Sequence, residues 1–143
     1  MKRLITMLFV MLMTTPAAAE QSVITLSDLS EKQIVTLRVA ETTFAEVPTL
    51  VKVAFCESSL EHTEEDGSVK RGKVDSRDTG LMQINKKYHL TDSKKLGLDI
   101  NNIHDNMHYA LFLVKYQGLR PWKASKHCWD NLVLPVLRTA ELS

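Results

Sequence analysis

Asp78-Thr79-Gly80-Leu81-Met82-Gln83-Ile84-Asn85, read together with Cys56-Glu57-Ser58 upstream of it, decides how this chain folds. Glu57 closes an apolar run of Val47, Leu50, Val51, Val53, Ala54 and Phe55, interrupted only by Lys52. On a helix, Leu50, Val53 and Ala54 share the face of Glu57, because residues three, four and seven apart stack on one side. The pattern predicts a buried helix with one carboxylate at its end. Burial disfavours the ionised carboxylate and raises its pKa, as a general acid working near neutral pH requires.

The second stretch has the chemistry to meet a sugar. Gly80 opens a turn without a side chain, Met82 offers an adaptable apolar contact, and Gln83 and Asn85 carry paired donors and acceptors. Glu57-Ser58 followed by Gly80-Leu81-Met82-Gln83-Ile84-Asn85 resembles the soluble lytic transglycosylase domain of the lysozyme-like superfamily. The resemblance spans Val47 to Trp129, and outside the two motifs it is a general pattern. It implies that Glu57 is the catalytic acid/base and that Met82 and Gln83 line a saccharide groove. With them it draws Ser58, Gly80 and Asn85 into the substrate-binding set. The chain departs from the family pattern in two places. The Ala-Tyr-Asn element whose Tyr reaches the catalytic Glu is absent, and Trp122-x-x-Ser125-x-x-Cys128-Trp129 stands in that region. The connection between the motifs, Glu61 to Arg77, is longer and more charged than the usual Ser/Gly-rich link.

The reaction implied needs one carboxylate and no metal or cofactor. Protonated Glu57 would protonate the glycosidic oxygen between N-acetylmuramic acid and N-acetylglucosamine. Once ionised, it would take the proton of the muramic acid 6-hydroxyl as that oxygen attacks C1, leaving a 1,6-anhydro end. Hydrolytic glycosidases use two carboxylates, and Asp78 is the candidate for a second. The stretch also resembles C-type lysozymes in Asp-x-Gly-x-x-Gln-Ile-Asn, where the second acid stands two residues before the Gly. Asp78 therefore has two readings, a catalytic acid or a turn residue ahead of Gly80. The competing functions are a hydrolytic muramidase using Glu57 with Asp78, and a non-catalytic peptidoglycan-binding adaptor.

The N-terminus sets the expected compartment. Lys2 and Arg3, an apolar core from Leu4 to Met13, and Ala17-Ala18-Ala19 make a signal-peptide pattern, with cleavage expected between Ala19 and Glu20. The apolar core is too short for an ordinary membrane-spanning helix, which takes ~20 residues. No Cys follows the cleavage site to take a lipid anchor, and no later segment is apolar enough to cross a membrane. The expected location is the periplasm or the extracellular space. Cleavage would remove Lys2 and Arg3 and take the formal net charge from +1 to −1, which argues against nucleic acid as partner. The partner implied is the peptidoglycan glycan strand. General wall turnover, a phage-derived lysis role, and association with an envelope-spanning secretion or conjugation machine all remain open roles.

Both cysteines, Cys56 and Cys128, survive cleavage and have one intrachain pairing, so in an oxidising compartment a disulfide is expected. It would clamp the helix of Glu57 to the Trp-rich segment.

Residues 20–143 form one domain with one core. Ser30-Glu31-Lys32-Gln33 is a capping-box pattern opening a helix, and Pro48 suits the first turn of the helix that ends near Glu57. Asn102-x-x-Asp105 opens another, which Gly118 stops. His62 to Thr79 reads as a loop or short hairpin, and Asn131 to Leu142 as a last element broken by Pro135. The fold class expected is mainly α, an α+β lysozyme-like domain whose irregular lobe flanks a groove. Trp122 and Trp129 read either as sugar-stacking platforms or as core beside the disulfide. Tyr88 and His89 read either as groove-edge residues or as exposed loop residues without a role, and Lys70, Arg71 and Lys73 either as a solvated loop tip or as a contact for anionic wall polymer. His104 and His108 have a metal-compatible spacing without an acidic third ligand, and read as surface residues.

Overall fold

The computed structural model describes residues 20–137; the expected signal peptide, residues 1–19, and residues 138–143 lie outside the described residues. The architecture is mainly helical with two small sheets. Ser30 and Gln33 form a reciprocal capping box, with Ser30 N–H donating to Gln33 Oε1 at 2.8 Å, and open helix α1, Glu31–Thr43. Leu37, Ala40 and the following Phe44 are fully buried. Helix α2, Thr49–Ser58, starts after Pro48 and buries Leu50, Val51, Val53 and Ala54.

The end of α2 is strained. Ser59 and Leu60 both take left-handed backbone, φ 58° and 61°. Such conformations cost L-residues on the order of 1–2 kcal/mol each. Leu60 is fully buried, and burying a Leu side chain contributes about 1.5–3 kcal/mol, which offsets the strain. The chain thereby turns sharply immediately after Glu57.

The charged connection is a ribbon with one irregular turn at each end. Thr63 bridges Val69 around a turn at Glu64–Gly67, and Arg71 bridges Thr79. Strand β2, Asp78–Thr79, pairs antiparallel with β3, Ile84–Asn85, in the register Asp78 with Asn85 and Thr79 with Ile84. The short-hairpin alternative for this region is thus the one realised. Asn85 then caps α3, Lys86–Lys95, through a bond from Lys87 N–H. The expected loop at Tyr88 and His89 is instead the first half of this helix, an element whose polar sequence carries no apolar stripe.

Helix α4, Ile103–Gln117, is capped by Asn102 Oδ1, which accepts from His104 and Asp105 N–H, and it ends at Gly118 with φ 61°. A tight 3-10 turn at Arg120–Ser125 leads into α5, Lys126–Asn131. Strand β4, Leu132–Val133, pairs in parallel with β1, Ser22–Val23, and brings the two ends of the described chain together. The last element is therefore a short strand followed by irregular chain to Leu137, and residues 138–142 of that expected segment lie outside the described residues. Cys56 on α2 and Cys128 on α5 form a disulfide with Cα atoms 6.0 Å apart. No described helix is long and apolar enough to cross a membrane.

Candidate active site

Glu57 stands on the last turn of α2, half-buried, where the helix meets the 3-10 turn. Ser125 Oγ donates to Glu57 Oε1 at 2.6 Å. The same hydroxyl lies 3.1 Å from the carbonyl of Trp122, a second acceptor for its single proton. Burial raises the Glu57 pKa above its ordinary value; the Ser125 bond opposes this, and the charge of Asp78 adds to it.

Asp78 is held in place from the neighbouring strand. Asn85 Nδ2 donates to Asp78 Oδ1 at 2.7 Å and to Asp75 Oδ2 at 3.0 Å, while Asn85 Oδ1 caps α3. Two cavities, of about 370 and 360 Å³, meet at Glu57, Asp78 and Gln83 and together make one groove. The first arm runs along Ile84, Tyr88, His89, Leu113, Pro121 and Trp122. The second runs along Ser59 and the ribbon residues Lys70 to Val74. A separate apolar cavity of about 530 Å³ lies between Phe44, Val51, Leu134 and Val136, and it contains neither of these carboxylates.

The turn between β2 and β3 is suspended from buried side chains. His62 Nδ1 accepts from Leu81 N–H at 3.1 Å, and Asn106 Oδ1 accepts from Met82 N–H at 2.9 Å. Asn106 Nδ2 donates to the carbonyls of Thr79 and Ile100, and Trp122 Nε1 donates to that of Met82 at 2.8 Å. Each bond satisfies a backbone or side-chain group that burial would otherwise leave unpaired, at a cost of about 1–3 kcal/mol. Gly80, φ 71°, sits directly against His62: a Cβ there would lie 2.5 Å from the imidazole Cε1.

This suspension corrects the expected place of Met82 on the groove wall. Met82 is fully buried, because its backbone is drawn inward by Asn106 and Trp122, and its side chain packs in the core rather than on the groove. Ser58 lines the second arm but is buried, its hydroxyl donating back to Ala54 O at 2.9 Å. Gly80 serves the close approach to His62, while Asn85 lines the first arm with its polar atoms bonded to Asp78, Asp75 and the α3 cap. Trp122 is 4% exposed and bonded through its indole N–H, so it lines the groove without an open face for stacking. Trp129 is core beside it, donating to Trp122 O at 3.2 Å.

Gln83 does lie in the groove, with φ 47° and its Nε2 donating to Gly80 O at 2.8 Å. Tyr88, 66% exposed, is the open aromatic ring of the first arm. His89 sits beside it with Nδ1 3.2 Å from the Tyr109 hydroxyl. His104 and His108 are exposed on α4 and line neither arm.

His62, Asn106 and Ser125 are the residues that sequence reasoning missed. The one available signal for Ser125 was its place in the segment where the family pattern has its Tyr. No protein-family model, no curated protein and no solved structure matches this chain.

Proposed function

We propose that this chain is an exported, lysozyme-like lytic transglycosylase that cleaves peptidoglycan glycan strands. The observation that carries this reading is a desolvated Glu57 on the floor of an open groove, its pKa raised and one oxygen held by Ser125. A carboxyl group in that state is able to give a proton near neutral pH and to take one back. Protonated Glu57 passes its proton to the oxygen leaving C1 of N-acetylmuramic acid. The resulting carboxylate accepts the proton of the 6-hydroxyl, whose oxygen bonds to C1 and closes the 1,6-anhydro ring. Ser125 keeps the carboxyl aimed through both transfers, the positioning on which such catalysis depends. Asp78, fixed by Asn85, places negative charge beside the reacting centre, where positive charge develops on the sugar. The Cys56–Cys128 disulfide supports export into an oxidising compartment.

A second reading has one observation in its favour. Asp78 lines the same two cavities as Glu57 and lies near enough to influence its ionisation, an arrangement that also suits a two-carboxylate muramidase. Product analysis on purified sacculi separates the readings. Anhydro-muramic ends are expected; reducing ends would establish hydrolysis, and intact sacculi would make the protein a binder.

A further inference from the structure

The two arms of the groove differ in charge. The first is aromatic and aliphatic, whereas the second is walled by Lys70, Arg71 and Lys73. Lys73 is exposed at a bend, as a solvated tip would be, whereas Lys70 and Arg71 run alongside β2 rather than at the Glu64–Gly67 tip of the ribbon. Gly72 permits that closeness. Its N–H donates to Asp78 O at 3.0 Å, and a Cβ there would meet Asp75 O at 2.4 Å and Asp78 Cβ at 2.9 Å. Any side chain at 72 would push the cationic ribbon away from Asp78.

The three cations are not equivalent. Lys70 Nζ is paired with Glu61 at 2.6 Å. Arg71 is turned to Thr79 Oγ1 at 2.5 Å and Asn101 Oδ1 at 3.4 Å. Lys73 is exposed and makes no ion pair among the described residues, yet it lines the groove.

We propose that this arm is a subsite for a carboxylate carried on the substituent of the muramyl sugar, received by Lys73 with Arg71 behind it. The proposal rests on the glycan-cleaving reading and adds the orientation of the strand: the muramyl substituent lies toward the 70–73 ribbon. A carboxylate-bearing strand approaching Asp78 meets like charge, and a cation at the arm offsets that repulsion. A neutral N-acetylglucosamine polymer gains nothing from it. The carboxylate has two sources, the lactyl group of stem-free strands and the peptide of stem-bearing ones.

The test uses the Glu57→Gln protein, which holds glycan uncleaved, with and without Lys73→Glu. Binding is measured at low ionic strength to neutral N-acetylglucosamine oligomers, stem-free glycan strands and stem-bearing strands. The second change should lower the ratio of carboxylate-bearing to neutral affinity by about fivefold or more, and added salt should shrink the difference. A fall confined to stem-free strands assigns the lactyl carboxylate, and one confined to stem-bearing strands assigns the peptide; either supports the subsite. An unchanged ratio for both strands overturns the subsite and leaves the cleavage reading standing. Failure of the Glu57→Gln protein to bind any of the three glycans overturns both.

Discussion

The hydroxyl of Ser125 donates to the Glu57 carboxylate at 2.6 Å across 68 residues of sequence. It does so from the segment that the disulfide ties to α2. Because a hydroxyl both donates and accepts, it can serve the carboxylate by donating to it and the carboxylic acid by donating to Trp122 O instead. A single Ser is thus suited to a residue that must alternate between two protonation states.

Ser125→Ala should therefore change the pH profile as well as the rate. The bond stabilises the ionised form, so its loss raises the Glu57 pKa further. Catalysis needs protonated Glu57 at the first step, and the basic limb of kcat/KM should move to higher pH. The maximal rate should fall on the order of tenfold, the scale of one charge-assisted hydrogen bond. Ser125→Thr should recover most of both. A lower rate with an unmoved basic limb would make Ser125 a packing residue.

Glu57→Gln should abolish sacculus cleavage and raise stability at neutral pH. The folded pKa is above the unfolded one, so the unfolded chain loses its proton first as pH rises. Whatever stability the protonated group allows is present below the unfolded value and is lost as pH climbs through the folded one. Gln never ionises and escapes that loss. At pH 7 the variant should melt higher than the parent, and the gap should close below the unfolded Glu value, about pH 4. Paired melting curves at the two pH values test this, and a lower Tm for the variant at pH 7 would contradict the buried-acid assignment.

Asp78→Asn divides the two mechanisms. An amide keeps the size of the side chain beside Asn85 but removes the charge. In the transglycosylase reading a slowed enzyme still releases anhydro products, and the Glu57 pKa drops for want of its negative neighbour. In the muramidase reading turnover disappears nearly as completely as with Glu57→Gln. A folded but inactive Asp78→Asn protein would exclude transglycosylation by one carboxylate.

The disulfide closes a separation of 72 residues, which in the chain-entropy model contributes about 4 kcal/mol. Non-reducing mass spectrometry of the protein should find the Cys56 and Cys128 peptides linked. Reductant should lower the Tm and also reduce activity, because α5 and the Ser125 turn are then free to move from Glu57. Unaltered activity at a lowered Tm would show that packing alone holds Ser125 in place.

What the sequence disclosed follows the range of the interaction. The caps at Ser30 and Asn102, the stop at Gly118 and the carboxylate at the end of an apolar helix are local, and all are present in the fold. The disulfide needed only a count of two. His62 and Asn106 were illegible, since they meet the Gly80 turn from 19 and 24 residues away and their meaning lies in which backbone groups they satisfy. Helix α3 was hidden because Lys86–Lys95 is mostly polar and owes its start to the Asn85 cap. Met82 was misplaced. The resemblance put it beside Gln83 on the saccharide groove, but the turn sends Leu81 and Met82 inward and leaves Gln83 in the groove.

That reversal yields a paired prediction for Met82 and Tyr88. Met82 is fully buried, so Met82→Ala should destabilise the fold by about 2–5 kcal/mol through lost contacts and the cavity left behind. Tyr88 is mostly exposed in the first arm of the groove, and Tyr88→Ala should leave the Tm within about 2 °C while weakening glycan binding several-fold. Both changes are best read in the Glu57→Gln background, with thermal melts beside titrations of N-acetylglucosamine oligomers at a temperature where each variant is folded. If Met82→Ala lost affinity without stability, the buried placement of Met82 would be wrong. If Tyr88→Ala bound the oligomers as well as its parent, the aromatic arm would not hold the sugar chain, and Gln83 with the cationic arm would have to hold it instead.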